Sequence, residues 1–124
     1  MLTQYSTIVF EATYLYCFAI GLLLQGKSSE EVYNVTKKEA ADREEISGNV
    51  EVSRWFKYEI ENNDESDLVV PHERPISNVK IPFVWAFYYL KNNFSFEDAL
   101  RDIIKRGGDT KSNAGIVGAL IGAS

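Results

Sequence analysis

Between Gly107 and Asn113 the chain reads Gly-Gly-Asp-Thr-Lys-Ser-Asn. Asp109 offers a hard carboxylate oxygen and Ser112 a weaker hydroxyl, the donor types magnesium takes beside water and phosphate. Thr110 and Asn113 can hydrogen-bond a ligand. Gly107 and Gly108 adopt positive φ without steric cost and let backbone come close to a bound group. Lys111 works the other way: it has three donors and no acceptor, and its charge falls close to where an ion would sit. It can instead pair with Asp109, its ammonium standing in for the cation. The same residues also make a simple hinge and helix cap, because Asp, Ser, Thr and Asn all satisfy free amides at a helix start. Helix N-termini favour anions, so Gly107 and Gly108 form a candidate phosphate cradle, which the charge of Asp109 opposes.

Behind this loop comes an apolar run with small residues at Gly115, Ala119 and Ala123, and again at Ala114, Gly118 and Gly122. A spacing of four puts each set on one helix face, where a neighbouring backbone can approach. The run is too short to span a bilayer, so a helix buried in protein is expected. The segment resembles the C-terminal signature of the ADP-ribosylglycohydrolase (DraG-like) family, in which Gly-Gly-Asp-Thr-Asp-Thr precedes a small-residue helix ending in Gly-Ala. Ser95–Leu100, leading to Gly107, resemble the family's helix into that loop, and Asn78–Tyr89 the helix before it. Leu2, Thr3 and Gln4, with Ile8–Gly26, resemble a further helix that usually opens with Thr-His.

The resemblance implies an all-helical fold whose complete members bind two magnesium ions and cleave ADP-ribose from proteins or small molecules. The sequence also departs from that pattern. Lys111 stands where the family has a second aspartate, and Ser112 where it has a threonine. Gln4 replaces the histidine, and can hydrogen-bond a ligand but not change charge near neutral pH. Complete members are more than twice as long, and their first half carries a Thr-Asp-Asp cluster that this sequence lacks. The expectation is a C-terminal portion of the fold, with no cofactor bound alone and no hydrolysis alone. Such a chain would act through protein contacts, as a homo-oligomer or with a second chain that supplies the missing half. Binding of an ADP-ribose-like ligand is the third possibility.

The elements that must hold this loop follow from pattern. The chain has 124 residues, enough for one domain with a modest core. A net charge of −5 without a basic stripe argues against nucleic acid. Ile8–Leu24 is largely apolar, but Glu11 interrupts it, no lysine or arginine precedes it, and Gly26 follows as a stop. A buried helix, not a membrane span, is expected there. Cys17, the sole cysteine, lies in that run and reads as a small buried hydrophobe in a reducing, cytoplasmic setting.

Ser28 and Glu31 have capping-box spacing, followed by an apolar stripe of Val32, Tyr33 and Val35 and a solvated charge run. After Gly48-Asn49, Val52, Trp55, Phe56 and Ile60 recur at helical spacing. Asn62 to Pro75 reads as a long loop with His72, the only histidine, exposed in it. Pro82 suits the first turn of a helix, and the aromatic run after it suits burial on more than one side. Stacking on an adenine ring is the less economical reading. Ser95 caps the next helix, with Leu100, Ile103 and Ile104 inward and Arg101, Asp102, Lys105 and Arg106 in water. Five or six helices and no sheet are expected. Faces around Phe10, Tyr14 and Phe18, and around Trp85, Tyr88 and Tyr89, are expected to lack cover within the chain.

Overall fold

A computed structural model describes residues 4–61 and 77–124, and every regular element among them is helical. Helix α1 spans Gln4–Leu24, α2 Ser29–Ser47, α3 Glu51–Arg54, α4 Ser77–Lys91, α5 Phe96–Arg106 and α6 Thr110–Ala123. The stretch Trp55–Ile60 continues α3 as a π-helix, a feature the residue pattern did not foretell. Trp55, Phe56 and Ile60 within it are all buried. The loop Asn62–Pro75, with His72, lies outside the described residues.

Local chemistry sets most boundaries. Ser28 accepts a hydrogen bond from Glu31 N–H and starts α2, and Gly48 ends it in the left-handed region. Ser95 accepts from Asp98 N–H and starts α5. Between α4 and α5, Asn93 takes φ 56°, a conformation asparagine tolerates better than most residues. Pro82 is not in a first turn: α4 begins at Ser77, so the proline is internal. Having no N–H, it removes one rung of the helix. Beside it an apolar groove of about 270 Å3 opens between α1, α4 and α6, lined in part by Tyr16, Val79, Pro82 and Ile116.

Helix α4 is the axis of the core. Ile81, Phe83–Phe87, Tyr89 and Leu90 are buried, so core packing accounts for the aromatic run. Trp85 and Tyr89 were expected to lie bare, yet they are 2% and 0% exposed, and Tyr88 is half-buried. Helices α5 and α6 cover that face from within the chain. Their packing uses the small residues differently from the expectation. Side chains, not backbone, fill the space: a β-carbon placed at Gly118 would lie 3.4 Å from Leu100 Cδ2, and one at Gly122 3.4 Å from Phe96 Cε2. Gly115, from the other small-residue face, has open space around it.

Helix α1 is buried on one side only. Ile8, Ala12, Leu15, Ala19 and Leu23 face the core, while Phe10 is 53% exposed and Cys17 is also exposed. Cys17 is therefore not the buried hydrophobe its apolar neighbours implied, since the apolar run surrounds α1 on all sides and the core takes only one. By length and composition Tyr5–Leu24 matches a membrane-crossing helix, with 33% of that apolar window buried. Glu11 is 5% exposed and receives both Arg43 Nε (2.9 Å) and a terminal Arg43 nitrogen (2.7 Å). Val35 and Ile104, both expected inside, are exposed. Val35 is displaced by the small buried Thr36 and Ala40 on the inner face of α2. Ile104 follows Ile103 on the helix, and only Ile103 reaches the core.

Candidate functional site

Helix α5, which leads into the loop before α6, is tied to α4. Tyr89 Oη donates to Asp102 Oδ2, and Arg106 Nε donates to the same carboxylate at 2.8 Å. The Arg106 guanidinium lies over the Trp85 ring, 3.8 Å from its centroid, a cation–π contact. Burial, and then the neighbouring Asp102 carboxylate, push the Tyr89 phenol far above its ordinary value, so it stays a hydrogen-bond donor. Asp102 and Arg106 are thus not the solvated pair their polarity implied. Their spacing of four was visible as an ion pair along one helix, but nothing local showed that it would lie over Trp85.

Two glycines then turn the chain. Gly107 has φ 79° and ψ −154°, a region essentially closed to residues with a β-carbon. Its N–H donates to Ile104 O at 3.3 Å. Gly108 also has positive φ, 77°, and its carbonyl accepts from Thr110 N–H at 2.9 Å. Asp109 is the N-cap of α6: Oδ1 accepts from Ser112 N–H at 3.4 Å, and its carbonyl accepts from Asn113 N–H at 2.9 Å. The loop thus turns at two glycines and caps α6 with Asp109.

The candidate residues divide by exposure. Gly108, Asp109, Lys111 and Ser112 are exposed, Gly107 and Thr110 are half-buried, and Asn113 is 5% exposed. The loop therefore brings one carboxylate, two hydroxyls and one ammonium to a single helix start. Gln4 opens α1, and its side chain is outside the described residues. Among the described residues no three His, Cys, Asp or Glu side chains lie close enough to hold an ion. Asp109 is engaged as a cap and its next charged neighbour is a lysine, so the donors present here do not by themselves fit magnesium.

Gly107 gives a direct test of this loop. Gly107→Ala should destabilise the fold by about 1–3 kcal/mol, the usual strain of a residue forced into such a region. Gly115→Ala, on an open helical site, should instead stabilise by about 0.5–1 kcal/mol. Urea unfolding of the two variants reads the difference in sign.

An all-helical unit whose glycine-paired loop delivers an acid to the start of a small-residue helix is the architecture expected of an ADP-ribosyl hydrolase fold. The family model for ADP-ribosylglycohydrolase matches residues 1–124, and the chain belongs to that family. No curated protein sequence and no solved structure matches it.

Proposed function

We propose that this chain is an ADP-ribosylglycohydrolase-fold unit that does not cleave ADP-ribosyl bonds by itself and acts through protein contacts. The observation carrying this reading is the make-up of the α6 start. Asp109 caps the helix through Ser112 N–H, and exposed Lys111 stands where the family places a second acid. Metal-assisted hydrolysis needs an ion fixed well enough to orient substrate or activate water. One carboxylate and one hydroxyl do not fix it, and a lysine, charged at neutral pH, repels it. An unpaired cysteine suits a reducing, cytoplasmic setting.

A second reading is favoured by one further observation: Asp109, Lys111 and Ser112 all face outward, open to acids from another chain. In that case the loop is one side of a split magnesium-dependent hydrolase. The chain alone, incubated with an ADP-ribosylated protein and magnesium, should release no ADP-ribose, and calorimetry should show no magnesium-dependent uptake of ADP-ribose. Release that rises with added magnesium overturns the proposal. The paired substitution Lys111→Asp with Ser112→Thr separates the two readings. If it strengthens magnesium binding only beside a chain bearing the missing acids, the split-enzyme reading holds.

A further inference from the structure

The groove between α1, α4 and α6 is a feature that the function of the loop does not use. No charged side chain lines it: Thr13 and Tyr16 come from α1, Asn78, Pro82 and Phe83 from α4, and Ile116 from α6. At about 270 Å3 it stands near the small end of ligand pockets. Tyr16 Oη donates to Ile116 O at 2.7 Å and so joins α1 to α6 beside it. Burial pushes the Tyr16 phenol above its ordinary value, which keeps that proton in place. Thr13 and Asn78 are exposed and bring a hydroxyl and an amide to the groove.

Pro82 decides what the groove can bind. A proline inside a helix is costly and has no N–H for the carbonyl four residues back, here that of Asn78. Both residues line the groove, so an acceptor that a helix normally satisfies within itself is left for a bound group. Departures from local rules of this kind gather at functional sites. We infer that the groove binds a small, flat, uncharged lactam or amide, its ring in the apolar space and its N–H on the Asn78 carbonyl. The Asn78 side-chain amide or the Thr13 hydroxyl donates to the carbonyl of the ligand. The ligand is uncharged because nothing lining the groove would compensate a charge taken out of water. It carries an N–H because a purely apolar molecule would shut the Asn78 carbonyl off from water without giving it a partner.

Carbostyril is a bicyclic lactam of this class. Titrated into the full chain, it should move the backbone amide NMR signals of Thr13, Asn78 and Ile116 saturably, with a dissociation constant of about 1 mM or below. N-methylcarbostyril, nearly the same shape without the N–H, should bind about fivefold more weakly, the loss of one hydrogen bond. Pro82→Ala gives a second reading, because it supplies the Asn78 carbonyl with a helical N–H. It should raise the urea midpoint and yet weaken carbostyril by about fivefold, a pairing of effects that a purely structural proline does not produce. The inference is overturned if carbostyril leaves those signals unmoved, if the two compounds bind alike, or if Pro82→Ala leaves the affinity unchanged. It is also overturned if the same signals shift with protein concentration before any compound is added, which would assign the groove to a second copy of the chain.

Discussion

Arg43→Ala is expected to cost about 3–5 kcal/mol, the usual penalty for stranding one member of a buried ion pair. For a domain of this size that is a third or more of the whole stability. Glu11 sits at 5% exposure on an otherwise apolar helix, so its carboxylate has exchanged water for one bidentate partner. Both contacts are short, 2.7 and 2.9 Å, and the guanidinium also lies 4.6 Å from the centroid of the Tyr14 ring. Tyr14 Oη in turn donates to Glu39 at 2.7 Å, so the pair fastens α1 to α2 at two points. Removing Arg43 takes away the partner but not the buried charge. Replacing both members, Glu11→Leu with Arg43→Met, should therefore recover most of the loss, because an apolar pair needs no compensation. Urea titrations of the single and double variants measure both numbers. A single variant within 1 kcal/mol of the parent would show that water reaches Glu11 in the folded state.

The pair also shows what residue pattern conveys and what it omits. Caps were legible because their chemistry is local: Ser28, Ser95 and Asp109 each accept from an amide three residues on. Helix existence was legible from periodicity, and so was burial of Val52, Trp55, Phe56 and Ile60. Partner choice between helices was not. Glu11 looked like an interruption and Arg43 like part of a wet face, because the bond joining them spans 32 residues. Cys17 was misplaced because α1 is apolar all round, and only the positions of α2, α4 and α6 decide which side is inside. Pro82 looked like a first-turn residue because the turn before it, which begins at Ser77, has no strong start signal.

The candidate site divides along the same line. Two glycines, an acid and a hydroxyl are enough to specify the hinge and the N-cap, and the loop adopts both. The tie between α5 and α4 was missed: Arg106, Asp102, Tyr89 and Trp85 come from two helices, and only the fold brings them together. A metal set is a more distant assembly still, since its oxygens must converge from separate elements within about 2.1 Å of one point.

Phe56→Ala is expected to cost about 3–5 kcal/mol, the range for deleting a fully buried aromatic side chain. Phe56 is 1% exposed and is the hub where three helices meet. Its ring centroid lies 5.8 Å from Tyr33 on α2, and 5.6 and 5.2 Å from Phe83 and Phe87 on α4. Edge-to-face and tilted pairs of this kind add to the area term, so truncation removes contacts on several sides at once. The neighbours are poorly placed to collapse into the space. Phe83 is already engaged with Trp55 at 5.5 Å, and Tyr33 is tethered through its hydroxyl to Glu61 at 2.8 Å. The π-helical stretch depends on the same residue, because Phe56 O accepts the Glu61 N–H at 3.0 Å and burial of the ring fixes that turn. Phe56→Leu, which keeps most of the volume, should lose clearly less, and Ile46→Ala, at a site 71% exposed, should stay within about 0.5 kcal/mol. Denaturant midpoints for the three variants give the ranking. If Phe56→Ala cost no more than Ile46→Ala, the aromatic cluster between α2, α3 and α4 would not be the centre of the core.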